Sequence, residues 1–373
     1  MSRISILTKG WEYFDIMHKD RLVARIYENG LANIYYSSFM PYNLYFEENE
    51  DIDTRLNNLN NFYYWCASRV LTLDRKYAKE ILNAIGASLK MTDRERACIA
   101  ISYHCLSILD VFWVKDKTEK RKFTDLSVFR HSLSNAFVDV CLRGKAITIQ
   151  KSEFYVSLNQ TADLGTPGVA PKAWIRENDT LYLYKAGDIR DIKAELLASK
   201  IIECFNVSSV KYEEAVYKDI MASKCMLITS EEKGIVPAEY VEIYCANKEI
   251  DLYSFTLKKD KYNYYMMIIL DYLIGNIDRH SGNWGFYVNN ETNRLEGLYS
   301  LMDFNKAFLA YDTIEGAVCQ TINKKMSQHD AALYAIKQVG LNQTKEVDPS
   351  WFADNKIKNM FYQRLELLKK ENN

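Results

Sequence analysis

The sequence predicts an α+β fold, and three observations carry that prediction. Strand-and-turn signals fill residues 13 to 36, apolar residues at three- and four-residue spacing follow, and strand and helix patterns are interspersed from residue 172 on. Phe14–His18 and Leu22–Ile26 alternate around a Lys-Asp turn, and Glu28-Asn29-Gly30 makes the second turn of a β-meander, Asn-Gly being the stronger hairpin signal. After the acidic loop Glu47–Asp53, Leu56, Leu59, Phe62 and Tyr63 recur at helical spacing. Further helices are expected at Arg75–Ala84, from the capping box Thr92-x-x-Glu95 through about Leu109, and over Phe123–Leu142. Residues 37 to 145 thus read as a helical block behind a small sheet, with the mixed-charge run Lys115–Lys122 as a solvated loop.

The texture changes near residue 150, around Tyr155. Lys172–Arg176 and Leu181–Lys185 flank an Asn178-Asp179 turn, Asp191–Phe205 is helical, and Lys224–Ile228 is a short strand. Lys261–Ile274 is a buried helix, with its aromatic run as core. Trp284–Val288 and Leu295–Tyr299 form a hairpin, and helices cover Gln328–Val339 and Ser350–Lys370. The expected divisions are 1–150, a β-meander plus helical region; 151–235, a mixed strand-and-helix region; and 236–373, a mainly helical region.

The 373 residues hold 48 Lys and Arg against 49 Asp and Glu, a formal net charge of -1, so direct nucleic-acid binding is not expected. Eight cysteines with no CxxC pair suit a reduced, cytoplasmic protein, and five scattered histidines build no His-rich metal site. The N-terminus lacks a signal-peptide core, and the most apolar stretch, Tyr262–Ile274, is too short for a bilayer and carries Asp271, so no membrane anchor is expected. Glycine (14) and proline (5) together make about 5% of the chain against a usual figure of about 12%. Five of those glycines, Gly165, Gly168, Gly275, Gly282 and Gly285, fall in just two loops, together with Pro167 and Pro171.

One of these loops carries chemistry. In Gly275–Gly285, between an apolar helix and an apolar strand, Asp278 and Asn283 lie five apart and can face one site. The carboxylate can orient and deprotonate a hydroxyl, and the amide oxygen can bind Mg²⁺. Asp303, at the end of a strand-like run, supplies a second hard-oxygen ligand, and Mg²⁺ needs only one or two of these beside phosphate and water. The plainer alternatives are turn formation for Asp278 and Asn283 and a strand-end cap for Asp303.

The D-R-H-x-x-N loop followed by strand-end Asp303-Phe304 resembles both HipA-like serine/threonine kinases and phosphatidylinositol kinases. The upstream Gly168-Val-Ala-Pro-Lys172 before the strand ending in Lys185 is similar to the HipA-like arrangement. The resemblance covers about residues 155 to 330. It implies a bilobal protein kinase-like (HipA-like) fold with the N-terminal β-meander and helical block attached, and ATP and Mg²⁺ as cofactors. It implies that Asp278 is the catalytic base, that Asn283 and Asp303 hold metal, and that Lys185 holds nucleotide phosphates with Glu195 as its partner. His280 stabilises the loop, Gly165, Thr166 and Gly168 form the phosphate loop, and Ile228 and Ser230 belong to an adenine-facing hinge. It further implies a protein substrate and a small DNA-binding antitoxin as partner in a toxin–antitoxin pair. Family members can be silenced by autophosphorylation of a serine in the loop before G-x-x-x-K; here that loop offers Thr161 and Thr166 and no serine. Phe304-Asn305 replaces Phe-Gly, so a flipping activation segment is not expected. Two rivals stay open: a lipid or small-molecule kinase with the same core, and a non-catalytic nucleotide-binding regulatory protein.

Overall fold

A computed structural model describes residues 11–87, 92–145, 158–322 and 325–371. The expected boundary at 150 and Tyr155 lie outside the described residues. The chain folds as two compact units. The first comprises Met1–Lys185 with Thr229–Gly234 and Asn289–Arg294; the second comprises Ala186–Ile228, Ile235–Val288 and Leu295–Asn373.

In the first unit the meander is present as β1 (Tyr13–His18), β2 (Arg21–Tyr27) and β3 (Ala32–Ile34). Asn29 Oδ1 accepts the Leu31 N–H at 3.0 Å, and Gly30 takes φ +85°, the left-handed value this turn needs. A strand the sequence did not announce, β4 (Phe112–Asp116), pairs antiparallel with β1 and completes the sheet order β3-β2-β1-β4. Helix α1 (Ile52–Ala67) is capped by Asp51, whose carboxylate accepts the Thr54 N–H. Its Phe62 stacks on Phe14 of β1 at 5.8 Å, and full burial of such a ring contributes about 2–3 kcal/mol.

Three expected helices, those over Arg75–Ala84, from Thr92 to about Leu109 and over Phe123–Leu142, are shorter than the pattern suggested. After α2 (Ala78–Asn83), α3 (Asp93–Ser102) has its Thr92/Glu95 capping box but stops before Leu109. His104 and Cys105 take φ +63° and +53°, and the chain turns there toward β4. Phe123–Leu142 splits into one 3₁₀ turn, Phe123–Asp125, and α4 (Asn135–Arg143), capped by Ser134. The intervening loop is gathered by Glu231, which accepts from Ser127 Oγ at 2.6 Å and Arg130 Nε at 2.7 Å, a tertiary pull that overrides local propensity. The run Lys115–Lys122 is not simply solvated. Asp116 and Glu119 are buried, and Glu119 lies 3.2 Å from His104 Nε2 and accepts from Arg121. Then come α5 (Thr161–Leu164) and the hairpin β5 (Lys172–Glu177) and β6 (Thr180–Ala186), in the register Lys172↔Lys185.

The second unit begins with α6 (Ile189–Ile202), capped by Asp188, and the hairpin β7 (Tyr212–Tyr217) and β8 (Ile220–Met226). The strand expected at Lys224–Ile228 is therefore shifted, and Ile228 lies beyond it. A three-stranded sheet, β11-β10-β9, follows from β9 (Lys233–Pro237), β10 (Gly285–Asn289) and β11 (Arg294–Leu298). Helices α7 (Ala238–Asn247) and α8 (Leu252–Leu273) precede the hairpin, and α9 (Gln328–Val339) and α10 (Asn355–Glu371) follow it. The aromatic run of α8 is core as expected, with Tyr264, Tyr265 and Tyr272 buried. Buried Arg364 of α10 donates to Tyr272 O at 2.6 Å and lies 4.6 Å over the Tyr272 and Tyr311 rings. Among the described residues no helix is long and apolar enough to cross a membrane.

Candidate active site

The second unit builds its loop from the end of α8. Asp271, the lone charge of the apolar stretch Tyr262–Ile274, is buried and accepts from Arg279 Nε at 2.9 Å, Arg279 Nη2 at 3.0 Å and Asn276 Nδ2 at 3.0 Å. Arg279 also donates to Asn283 O at 2.7 Å and Met302 O at 2.9 Å. One buried guanidinium thus fixes both ends of the 278–283 loop and the residue before Asp303. Such a pair is costly to desolvate but fixes geometry through its many bonds. Gly285, where the loop becomes β10, is a close approach: a Cβ there would run into the backbone of Val236 and Pro237.

Asp278, Asn283 and Asp303 all belong to this unit. The Asn283 amide N–H donates to Asp278 O at 2.7 Å, which uses its nitrogen and leaves the acceptor oxygen Oδ1 out of this bond. Burial pushes the Asp278 carboxyl above its usual value, the nearby Asp303 charge pushes the same way, and His280, Lys306 and Arg279 oppose. His280 Nε2 lies 4.0 Å from Asp278 Oδ1, and its Nδ1 accepts the Gly282 N–H at 3.0 Å, a turn-holding contact. Glu195, on α6, is buried and accepts from Ser223 Oγ of β8. At the start of the same helix, Asp191 accepts from Lys306, three residues past Asp303. Two carboxylates and an amide oxygen in one unit are a donor set suited to a hard divalent cation.

In the first unit, Gly165 follows α5 and Gly168 takes φ +98° with its α-face against Lys172 Nζ. Thr166 is buried; its hydroxyl donates to Ala162 O at 2.6 Å and accepts from Trp174 Nε1 at 2.8 Å, so its one donor is used inside the loop. Asp163 accepts the Trp174 N–H at 2.8 Å, and Arg75 donates to Asp163 O at 3.1 Å and to Lys172 O. Lys172 and Lys185 are both buried and stand opposite each other across the hairpin, Lys172 donating to Pro167 O at 2.8 Å. Ser230 forms a turn, its Oγ accepting the Glu232 N–H at 3.1 Å and donating to Glu232 Oε2 at 2.8 Å. Ile228 is half-buried and lies outside any strand.

The sequence reading gave no role to Arg279, Tyr212 or Asp163. Arg279 had a signal, since it sits inside the Asp278–Asn283 motif just downstream of Asp271, the lone charge of the apolar stretch Tyr262–Ile274. For Tyr212, the first residue of an unforeseen strand, there was none.

No protein-family model matches the chain, and no curated protein matches it. Solved structures do. A chain of the Shewanella oneidensis MR-1 HipA, HipB and operator DNA toxin–antitoxin complex aligns with a TM-score of 0.51 at 11% identity, over 96% of this chain and 91% of that one. The Helicobacter pylori proinflammatory kinase CtkA aligns with a TM-score of 0.40 at 17% identity, over 54% of this chain and 90% of that one. The mixed α+β architecture is thus similar to the HipA kinase fold, and the likeness takes in N-terminal residues that the sequence motifs left unmatched.

Proposed function

We propose that the chain is an ATP- and Mg²⁺-dependent kinase that transfers the γ-phosphoryl group to a Ser or Thr hydroxyl of a protein. The observation that carries this reading is the Asp278, Asn283 and Asp303 set, with the Arg279 staple that links its loop to Met302. Asp278 orients the acceptor hydroxyl and takes its proton as the O–P bond forms; the leaving group is ADP. Its raised carboxyl pKa makes it a better proton acceptor than an ordinary Asp. Asn283 and Asp303 would hold Mg²⁺, which, when bound, neutralises phosphate charge. Lys185, with Lys172 opposite it, would hold phosphate oxygens beside the Gly165–Gly168 loop, and Glu195 would orient Lys185. Ile228 and Ser230 would contribute to the adenine side. Positioning and charge neutralisation supply most of the acceleration in such a reaction.

The HipA chain is accompanied by HipB and operator DNA in its complex. A small DNA-binding antitoxin is therefore the partner to test, with this chain as the toxin. The discriminating experiment is transfer of label from γ-labelled ATP, with and without chelator, into a cell lysate read by mass spectrometry and into lipid vesicles. Chelator-sensitive label on protein Ser or Thr is expected. Label only in lipid, or none with any acceptor, would overturn the protein-kinase reading.

A further inference from the structure

Asp303 carries the least comfortable backbone of the candidate site. Its φ is +62°, in the left-handed region that side chains with a Cβ rarely adopt and that Asp and Asn tolerate best. Its peptide N–H is taken by the hydroxyl oxygen of Tyr212, at 3.1 Å. Tyr212 opens β7 and is buried, and its ring meets the buried Phe304 ring edge-on, with centroids 6.0 Å apart at 75°. The segments leading to these two residues are joined as well: Leu301 N–H donates to Ser208 O at 2.9 Å, and Val210 N–H donates to Leu301 O at 2.8 Å. A phenol oxygen can accept a hydrogen bond while its own O–H donates elsewhere.

We infer that Tyr212 is a positioning residue for the metal: by accepting the Asp303 N–H it holds the left-handed backbone that sets the direction of the Asp303 carboxylate. The inference rests on the kinase reading of the site. Phenylalanine in its place keeps the ring and the Phe304 contact but offers no acceptor, so this tie on the Asp303 peptide is lost.

The test uses the full chain and Mn²⁺ as probe. Mn²⁺ binding in the presence of a non-hydrolysable ATP analogue is followed by electron paramagnetic resonance in wild type and Tyr212→Phe. Loss of one hydrogen bond of this kind corresponds to roughly a 3- to 10-fold weaker Mn²⁺ dissociation constant. The Mg²⁺ concentration for half-maximal transfer should rise by the same factor, with kcat at saturating metal within about twofold. Unchanged Mn²⁺ affinity with a lowered melting temperature would reduce Tyr212 to a packing residue and overturn the inference. Should Tyr212→Phe fail to fold, Phe304→Leu, which loosens the packing of Tyr212, is titrated instead; a several-fold loss supports the inference and unchanged affinity overturns it. Failure of wild type itself to bind Mn²⁺–nucleotide would strike the kinase reading and the inference together, and is distinguished by occurring without any substitution.

Discussion

Arg279→Met should be among the most damaging single substitutions in the second unit. It removes the partner of Asp271 while leaving that carboxylate, with 9% of its side chain exposed, held among the described residues by Asn276 Nδ2 at 3.0 Å. The carbonyls of Asn283 and Met302 lose a charged donor at the same time. Breaking a buried ion pair from one side costs about 3–5 kcal/mol, because the remaining charge is uncompensated. For a unit of this size about 2–4 °C per kcal/mol applies, so the melting temperature should fall by roughly 6–20 °C. Calorimetry of wild type, Arg279→Met and the double variant Asp271→Leu/Arg279→Met checks this. The double variant should recover most of the loss, since an apolar pair removes the stranded charge. It should still transfer phosphate poorly, because the Arg279 bond that ties Met302 to the loop is lost. A single variant within about 1 kcal/mol of wild type, or a double variant no more stable than the single, would refute the reasoning.

Two further outcomes follow from the first unit. Burial pushes the Asp163 carboxyl up to about 6, against the Trp174 N–H and Arg75, which pull it down. An unfolded Asp titrates near ~3.9, so from about pH 4 to 6 the native state keeps a proton that the unfolded chain has lost. Wild type should therefore lose about 3 kcal/mol as pH rises through that window, a loss absent in Asp163→Asn. Urea unfolding of both at pH 4 and pH 7 measures the difference, and an equal pH response would contradict it. Thr161 and Thr166 are 0% and 5% exposed, so native protein incubated with ATP and Mg²⁺ should carry no phosphate on either. A phosphopeptide containing either modified threonine, found by mass spectrometry, would show that the loop leaves this packing.

Much of this was legible because local chemistry agreed with the fold. Asn29-Gly30, the Thr92/Glu95 box and the Gln328–Val339 pattern each specify their element from neighbouring residues alone. The errors arise where a distant partner decides. Glu231 gathers Ser127 and Arg130 out of a helical pattern, and left-handed His104 and Cys105 end α3 early. Strand β4 was hidden because its sequence runs into mixed charges, two of which, Asp116 and Glu119, turn out to be buried. The candidate site followed the same rule. Asp278, Asn283 and Asp303 could be named from their spacing in two loops, whereas Tyr212 depends on a contact across 91 positions.

The most direct test of the catalytic assignment is phosphoryl transfer by wild type and Asp278→Asn, with nucleotide binding measured in parallel. Asn keeps the shape and cannot take a proton. The variant should bind ATP with Mg²⁺ as wild type does and transfer phosphate about 10²-fold or more slowly, the usual size of a general-base contribution. Equal transfer by the two proteins would contradict the role given to Asp278.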